Sequence, residues 1–190
     1  MDMNLNLNLN PETSARIPVV DDAALGFDEV VTAIRRRRGG TLLNLDRMLL
    51  NSPAYAIGWN GFLGAVRNKL SLDARLRELA ICTVAVLTRA DYEYAQHAPE
   101  FLSAGGRQPQ LDALHDLAAA MQDDNLFTAA ERATLALAQQ MTLHVQVSND
   151  CFAALQKVLP DPQQQVELVG VIAAYNMVAR FLEALQVAPE

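Results

Sequence analysis

The chain has 190 residues, 51% apolar and 19% charged, a balance that builds a packed core and excludes a wholly disordered chain. Its net charge of −7 argues against nucleic acid as the main partner, because phosphate binding needs a basic surface. Two distant cysteines, Cys82 and Cys151, with no CxxC, exclude a disulfide framework and a cysteine-based zinc cluster; both read as reduced, buried thiols of a cytoplasmic protein.

The N-terminal stretch MDMNLNLNLN lacks the basic start and continuous apolar core of a signal peptide. Residues 1–22 read as a loose arm, and residues 23–187 as one all-α domain. No apolar run approaches the length of a membrane span. A first helix is expected over Ala23 to Arg37. The run Arg35 to Arg38 followed by Gly39 and Gly40 fits a helix C-terminus, where cations meet the negative end of the dipole; anion binding or an interface is the alternative. A short helix follows near Leu45 to Leu50. Ser52 and Pro53 are expected to cap and open the segment PAYAIGWNGFLGAVRNKL. Ser71 is expected to cap LDARLRELAICTVAVL, whose second half is apolar on nearly every side and belongs in the centre of the fold.

Thr88 and Asp91 suggest a capping box opening the helix YEYAQHAPEFLSAG, and Thr128 with Glu131 suggests a second before ERATLALAQQMTL. Ser148 is expected to cap CFAALQKVL. Asp161, Pro162 and Gln164 supply cap, first-turn proline and box partner for a last helix reaching Leu185. The sum is eight or nine helices and no strand pair. The polar stretch Gln122 to Asn125 divides them into two groups and is the place for a hinge.

The stretch RADYEYAQHAPE carries Glu93 and His97 four residues apart, hence on one helix face near its start. The helix dipole there favours an ionised Glu93 and a neutral His97, a combination that can shuttle protons. The same spacing also fits a surface ion pair. Glu78 lies upstream, where RLRELAIC turns apolar, so it needs a partner: Arg75 or Arg77 locally, or His97 across a helix contact. Tyr175, Asn176 and Arg180 are polar positions in the last helix, and Arg180 suits a substrate carboxylate. Trp59, Phe62 and Tyr94 suit a pocket wall or the helix core. His115 and His144 lack acidic or thiol company and read as structural.

The segment RELAICTVAVLTRADYEYAQHAPEFLSAG, with TLHVQVSND at Thr142 to Asp150 and VELVGVIAAYNMVARFLEAL after it, resembles the carboxymuconolactone decarboxylase and alkylhydroperoxidase D family over roughly Leu42 to Val187. The resemblance implies an all-α, AhpD-like bundle that assembles with itself as trimers or hexamers. The family's peroxidase branch has a glutamate, a CxxC and a histidine. These fall on Glu78, on Ala90 and Glu93, and on His97, so both thiols are missing and redox activity is not expected. The branch that remains is a decarboxylase acting on a small carboxylated lactone or keto acid without metal or organic cofactor. On that reading Glu93 and His97 transfer the proton, Glu78 orients His97, and Tyr94, Tyr175, Asn176 and Arg180 contact substrate. A non-catalytic oligomeric binding protein is the alternative.

Overall fold

The computed structural model describes residues 15–22, 25 and 29–190. Among these residues the chain is all-helical, with no strand: α1 (Glu29–Arg38), α2 (Asn44–Leu49), α3 (Pro53–Asn68), α4 (Ala74–Thr88), α5 (Asp91–Ser103), α6 (Gln108–Ala113), a 3₁₀ turn (Leu114–Asp116), α7 (Leu117–Ala120), α8 (Ala129–Leu143), α9 (Asn149–Val158) and α10 (Pro162–Leu185). The short helices between 108 and 120 bring the number of α-helical segments among the described residues to ten. The Asn–Leu repeat lies outside the described residues. Of the expected loose arm, residues 15–22 are tied down: Arg16 N–H donates to the Leu185 carbonyl, and Val20 N–H to that of Arg47.

Helix α4 is the axis of the fold. It packs against α5, α8 and α10, which explains why Leu79 through Ala85 are all buried. One apolar cluster joins α4 to α1, α2, α3, α8, α9 and α10; a second joins it to α5, the 108–120 segment, Phe127 and Leu135. Burying each large apolar side chain of this kind contributes about 1.5–3 kcal/mol. The stretch at Gln122 to Asn125 is a hydrogen-bonded turn in which the Asp123 carboxylate accepts from the Asn125 and Leu126 N–H groups.

Several ends differ from expectation. Leu25 is not helical, so the helix expected from Ala23 is not continuous; α1 is described over Glu29–Arg38, and Ala23, Ala24 and residues 26–28 lie outside the described residues. Its C-terminus is as read: Gly39 and Gly40 take positive φ, and Gly40 N–H donates to the Arg35 carbonyl. Asp73, not Ser71, caps α4 by accepting from the Arg75 and Leu76 N–H groups. Ser71 instead donates to Glu167. Thr88 ends α4 and donates back to the Val84 carbonyl, so it is unavailable as a cap; α5 starts from Ala90 with no side-chain cap. The box at Thr128 and Glu131 and the caps at Ser148 and Asp161 form as expected. Helix α10, at 24 residues, is long and apolar enough to cross a membrane by length and composition, contrary to expectation. Here it packs against α3, α4, α5 and α8.

Two glycines differ in what surrounds them. A Cβ on Gly106 would collide with the fully buried Phe101 ring, whereas one on Gly170, inside α10, meets nothing. Gly106→Ala is expected to lower stability by about 1–3 kcal/mol through overpacking. Gly170→Ala is expected to be neutral or to raise it by up to about 1 kcal/mol through helix propensity. Urea unfolding of both variants checks this; equal effects would contradict the packing described.

Candidate active site

The turn from α4 to α5 is only two residues long. Arg89 adopts the left-handed conformation (φ 57°) and closes α4, and Ala90 opens α5. The chain therefore reverses sharply, and the two helices pack along each other. That reversal brings His97 of α5 against Glu78 of α4: Nδ1 lies 2.7 Å from Oε2, with both residues buried. The other Glu78 oxygen accepts from Arg77 Nε at 3.0 Å. Burial opposes ionisation of Glu78, but His97 and Arg77 outweigh it and hold the carboxyl below its usual range. Burial dominates at His97 and lowers its pKa despite Glu78, helped by the charge of Arg67. These directions describe a neutral imidazole whose Nδ1–H donates to a carboxylate. Nε2 is left with a lone pair and makes no hydrogen bond to a described residue.

Glu93 behaves differently from the sequence reading. It does not pair with His97. Both carboxyl oxygens are buried and have no hydrogen-bond partner among the described residues. Burial, with Glu183 nearby, pushes its pKa well above the ordinary value. The dipole at the start of α5, expected to favour ionisation, is outweighed by desolvation. Burial therefore favours the protonated form of Glu93, and the hydrogen-bonded pair of the site is Glu78 with His97.

Glu93, His97 and Tyr175 line one narrow pocket, with about 30 Å³ open to a water-sized molecule, whose wall includes Trp59, Leu63 and Val178. The Tyr175 ring meets His97 edge-on at 4.8 Å. Beside this pocket lies a polar cleft lined by Arg37, Arg38, Arg67, Asn68, Arg77, Glu78, Gln96 and Glu100; Arg37, Arg38, Leu43, Arg67 and Gln96 border both. Buried Asp46 holds Arg38 through two bonds of 2.9 and 3.1 Å and reaches Arg37 at 3.4 Å. The basic run thus ends a helix and also turns two guanidinium groups toward the cleft.

Other expected contacts lie elsewhere. Tyr94 packs in the second apolar cluster near His115, and does not line the pocket. Asn176 is buried and donates to Thr142 Oγ1 and the Ile172 carbonyl. Arg180 donates to the Asn176 carbonyl and Oδ1, so its guanidinium is used within α10. Phe62 is exposed, and Cys151 is only partly buried. Cys82 is fully buried, and burial pushes its thiol far up, away from the thiolate. Among the described residues, no three His, Cys, Asp or Glu side chains are placed to hold a metal.

Sequence reasoning missed Arg67, Tyr92 and Gln96 as pocket residues. The signal was present: Trp59, Leu63 and Arg67 recur every four residues on α3, so the charge continues an inward apolar stripe. Tyr92 and Gln96 bear the same spacing on α5, and both donate to the Glu190 carboxylate at 3.0 Å.

Comparisons with known proteins agree with this architecture. A search of curated proteins finds none that matches the sequence. Among solved structures, the fold is similar to the alkylhydroperoxidase AhpD core of an uncharacterised peroxidase-related protein from Ralstonia eutropha JMP134, with TM-score 0.78 and 17% identity over 93% of this chain and 92% of that one. An uncharacterised peroxidase-related protein from Silicibacter sp. TM1040 gives 0.76 and 16% over 94% and 95%. The debrominase Bmp8 in complex with 2,3,4-tribromopyrrole gives 0.74 and 15% over 93% and 94%. The family model for the carboxymuconolactone decarboxylase family matches residues 53–140. This segment, which holds α3, α4 and α5 and with them Glu78, Glu93 and His97, belongs to the carboxymuconolactone decarboxylase family, on a chain with the AhpD-like fold.

Proposed function

We propose that the protein is a cofactor-independent acid/base enzyme of the decarboxylase type, acting on a small carboxylated lactone or keto acid. The observation that carries this reading is the pairing of opposite protonation states in one pocket. Glu93 is a buried acid with no partner, and His97 is a neutral base oriented by Glu78. Groups whose environments push their pKa values apart divide naturally into acid and base.

In such a reaction the bond to the departing carboxylate breaks and its electron pair moves onto the conjugated carbonyl oxygen as carbon dioxide leaves. The Glu93 carboxyl donates to that oxygen, where charge develops in surroundings that exclude water. His97 Nε2 takes up a proton from solvent and delivers it to the carbon that lost the carboxylate, while the enol O–H returns its proton to Glu93. Trp59, Leu63 and Tyr175 offer apolar surface to a flat ring, and a structural neighbour is known with a brominated pyrrole.

The non-catalytic alternative required Glu93 and His97 to satisfy each other on an open surface; both are buried at a pocket and they do not pair. A thiol peroxidase mechanism lacks its thiols, since Ala90 and Glu93 stand at the positions where the peroxidase branch has cysteines. Buried Cys82 has no vicinal partner with which to resolve a sulfenic acid. Self-association belongs to the same proposal: Tyr55, Ile57 and Phe62 of α3 are large apolar side chains left exposed. Light scattering at micromolar concentration is expected to give a mass above the 20.8 kDa of one chain.

A turnover screen across carboxylated lactones and keto acids tests the reaction class. With any substrate found, Glu93→Gln and His97→Gln are each expected to lower kcat by roughly 10²–10⁴-fold. The active form has His97 neutral and Glu93 protonated, so kcat/KM falls at low pH as His97 gains a proton and at high pH as Glu93 loses one. The acid limb lies below the ordinary histidine value and the alkaline limb well above the ordinary carboxyl value. In Glu93→Gln the alkaline limb disappears. Unchanged turnover in both variants would overturn the reading.

Glu93 also gives stability a pH dependence. Its folded pKa is raised, so the advantage of the protonated form is complete below the ordinary carboxyl value of 4.5 and is lost as pH rises toward and through the folded value. Glu93→Gln cannot ionise. Its Tm relative to wild type is expected to rise as pH increases above the ordinary carboxyl value. A constant difference would mean that Glu93 is not held protonated.

A further inference from the structure

Four guanidinium groups gather at the polar cleft beside the pocket: Arg37, Arg38, Arg67 and Arg77. In a chain of net charge −7 this is a local reversal of sign. Three of the four are answered from within. Arg38 has Asp46, Arg77 has Glu78, and Arg37 shares Asp46 while donating to Asn60. Arg67 is different: it makes no side-chain hydrogen bond or ion pair to a described residue. Its side chain is half-buried at the border between the apolar pocket and the cleft. Glu100, exposed on the far helix, also lines the cleft but does not pair with it.

We propose that Arg67 is the residue that selects an anionic substrate, holding its carboxylate at the junction of pocket and cleft while the ring or hydrocarbon body lies against Trp59, Leu63 and Tyr175. The assignment rests on the reading of this pocket as the reaction site and adds the residue that determines charge specificity. Two independent features point the same way. One is the unanswered guanidinium, whose planar fork suits a carboxylate bidentately. The other is the buried, partnerless Glu93 carboxyl facing the same pocket. Arg37 is lowered to about 10, first by burial and then by the neighbouring charges of Arg38 and Arg67, with Asp46 opposing. Burial favours the uncharged forms of His97 and Glu93 in the pocket, and the Glu78 carboxylate at the cleft is already engaged by His97 and Arg77.

The test uses benzoate and its neutral isostere benzamide as probes, with Kd measured by calorimetry on the full chain. Wild type is expected to bind benzoate at least roughly tenfold more tightly than benzamide, the worth of a charge-assisted bond to a carboxylate. Arg67→Met is expected to remove that preference. Arg67→Lys, which keeps charge but loses the fork, falls between. Arg36→Met, which removes the same charge from an exposed position, leaves binding unchanged. Because Arg67 makes no bond to the described chain, its variants should keep the wild-type Tm. Should Arg67→Met nevertheless fail to fold, Arg67→Lys carries the comparison alone. His97→Gln is expected to retain benzoate binding, so the clamp and the reaction fail separately. Benzoate binding that is absent, indifferent to Arg67, or matched by benzamide would overturn the assignment.

Discussion

His97 donates to Glu78 across 2.7 Å in a place where both side chains are buried, and the rest of the site is arranged by that bond. A buried carboxylate without such partners would be expelled or protonated. Here the bond fixes three things together. It keeps Glu78 ionised. It sets the imidazole tautomer, since an ionised carboxylate only accepts, so Nδ1 must carry the proton. It also leaves Nε2 free. The edge-on Tyr175 ring from α10 limits rotation of the imidazole, so three helices hold one ring. Breaking such a pair by deleting one partner leaves a buried charge and commonly costs 3–5 kcal/mol. Stability and reactivity at His97 are therefore not separable by truncation, and an isosteric replacement is the informative one.

Glu93 is the counterpart. It lies one turn before His97 on the same helix, yet its environment produces the opposite state. His97 has an acceptor in reach, and Glu93 has no partner among the described residues. A partnerless buried carboxyl is a cost to the fold, which neutralisation reduces without abolishing. Such a group persists where the chemistry needs a donor in a dry place. The same helix thus carries a base and an acid whose roles are set by the surroundings of each side chain and not by its residue type.

The all-helical fold was legible because its strongest signals are local and repeated. The all-round apolar half of α4, the glycines after the arginine run and the cap chemistry at Thr128, Ser148 and Asp161 each act within a few residues. The site was legible in part. Glu78, Glu93, His97 and Tyr175 were named, and Arg77 and His97, the latter across a helix contact, were among the partners offered to Glu78, as the structure has them; the pairing of Glu93 with His97 within α5 is the part that does not form. Spacing along one helix tells which side chains share a face; it does not tell which neighbour a second helix will offer. Asn176 and Arg180 misled for a related reason. Polar groups in an apolar helix need partners, and theirs turned out to be Thr142 and the backbone of α10 itself. Thr88 failed as a cap because the carbonyls of its own helix claimed its hydroxyl first.

The position of Glu93 also bears on which chemistry this frame supports. By resemblance to the peroxidase branch it stands where the second thiol would be, with Ala90 in place of the first. A pair of thiols can cycle electrons through a disulfide; a carboxyl and a methyl cannot. What the frame retains is a histidine oriented by a buried glutamate, with a protic group facing it from the same helix. Removing the thiols therefore leaves a site able to move protons but not electron pairs between sulfurs. The desolvation that would make a cysteine here sluggish, by pushing its thiol up as it does at Cys82, is the same force that pushes the Glu93 carboxyl well above its ordinary value. Burial that weakens a nucleophile strengthens the case for an acid.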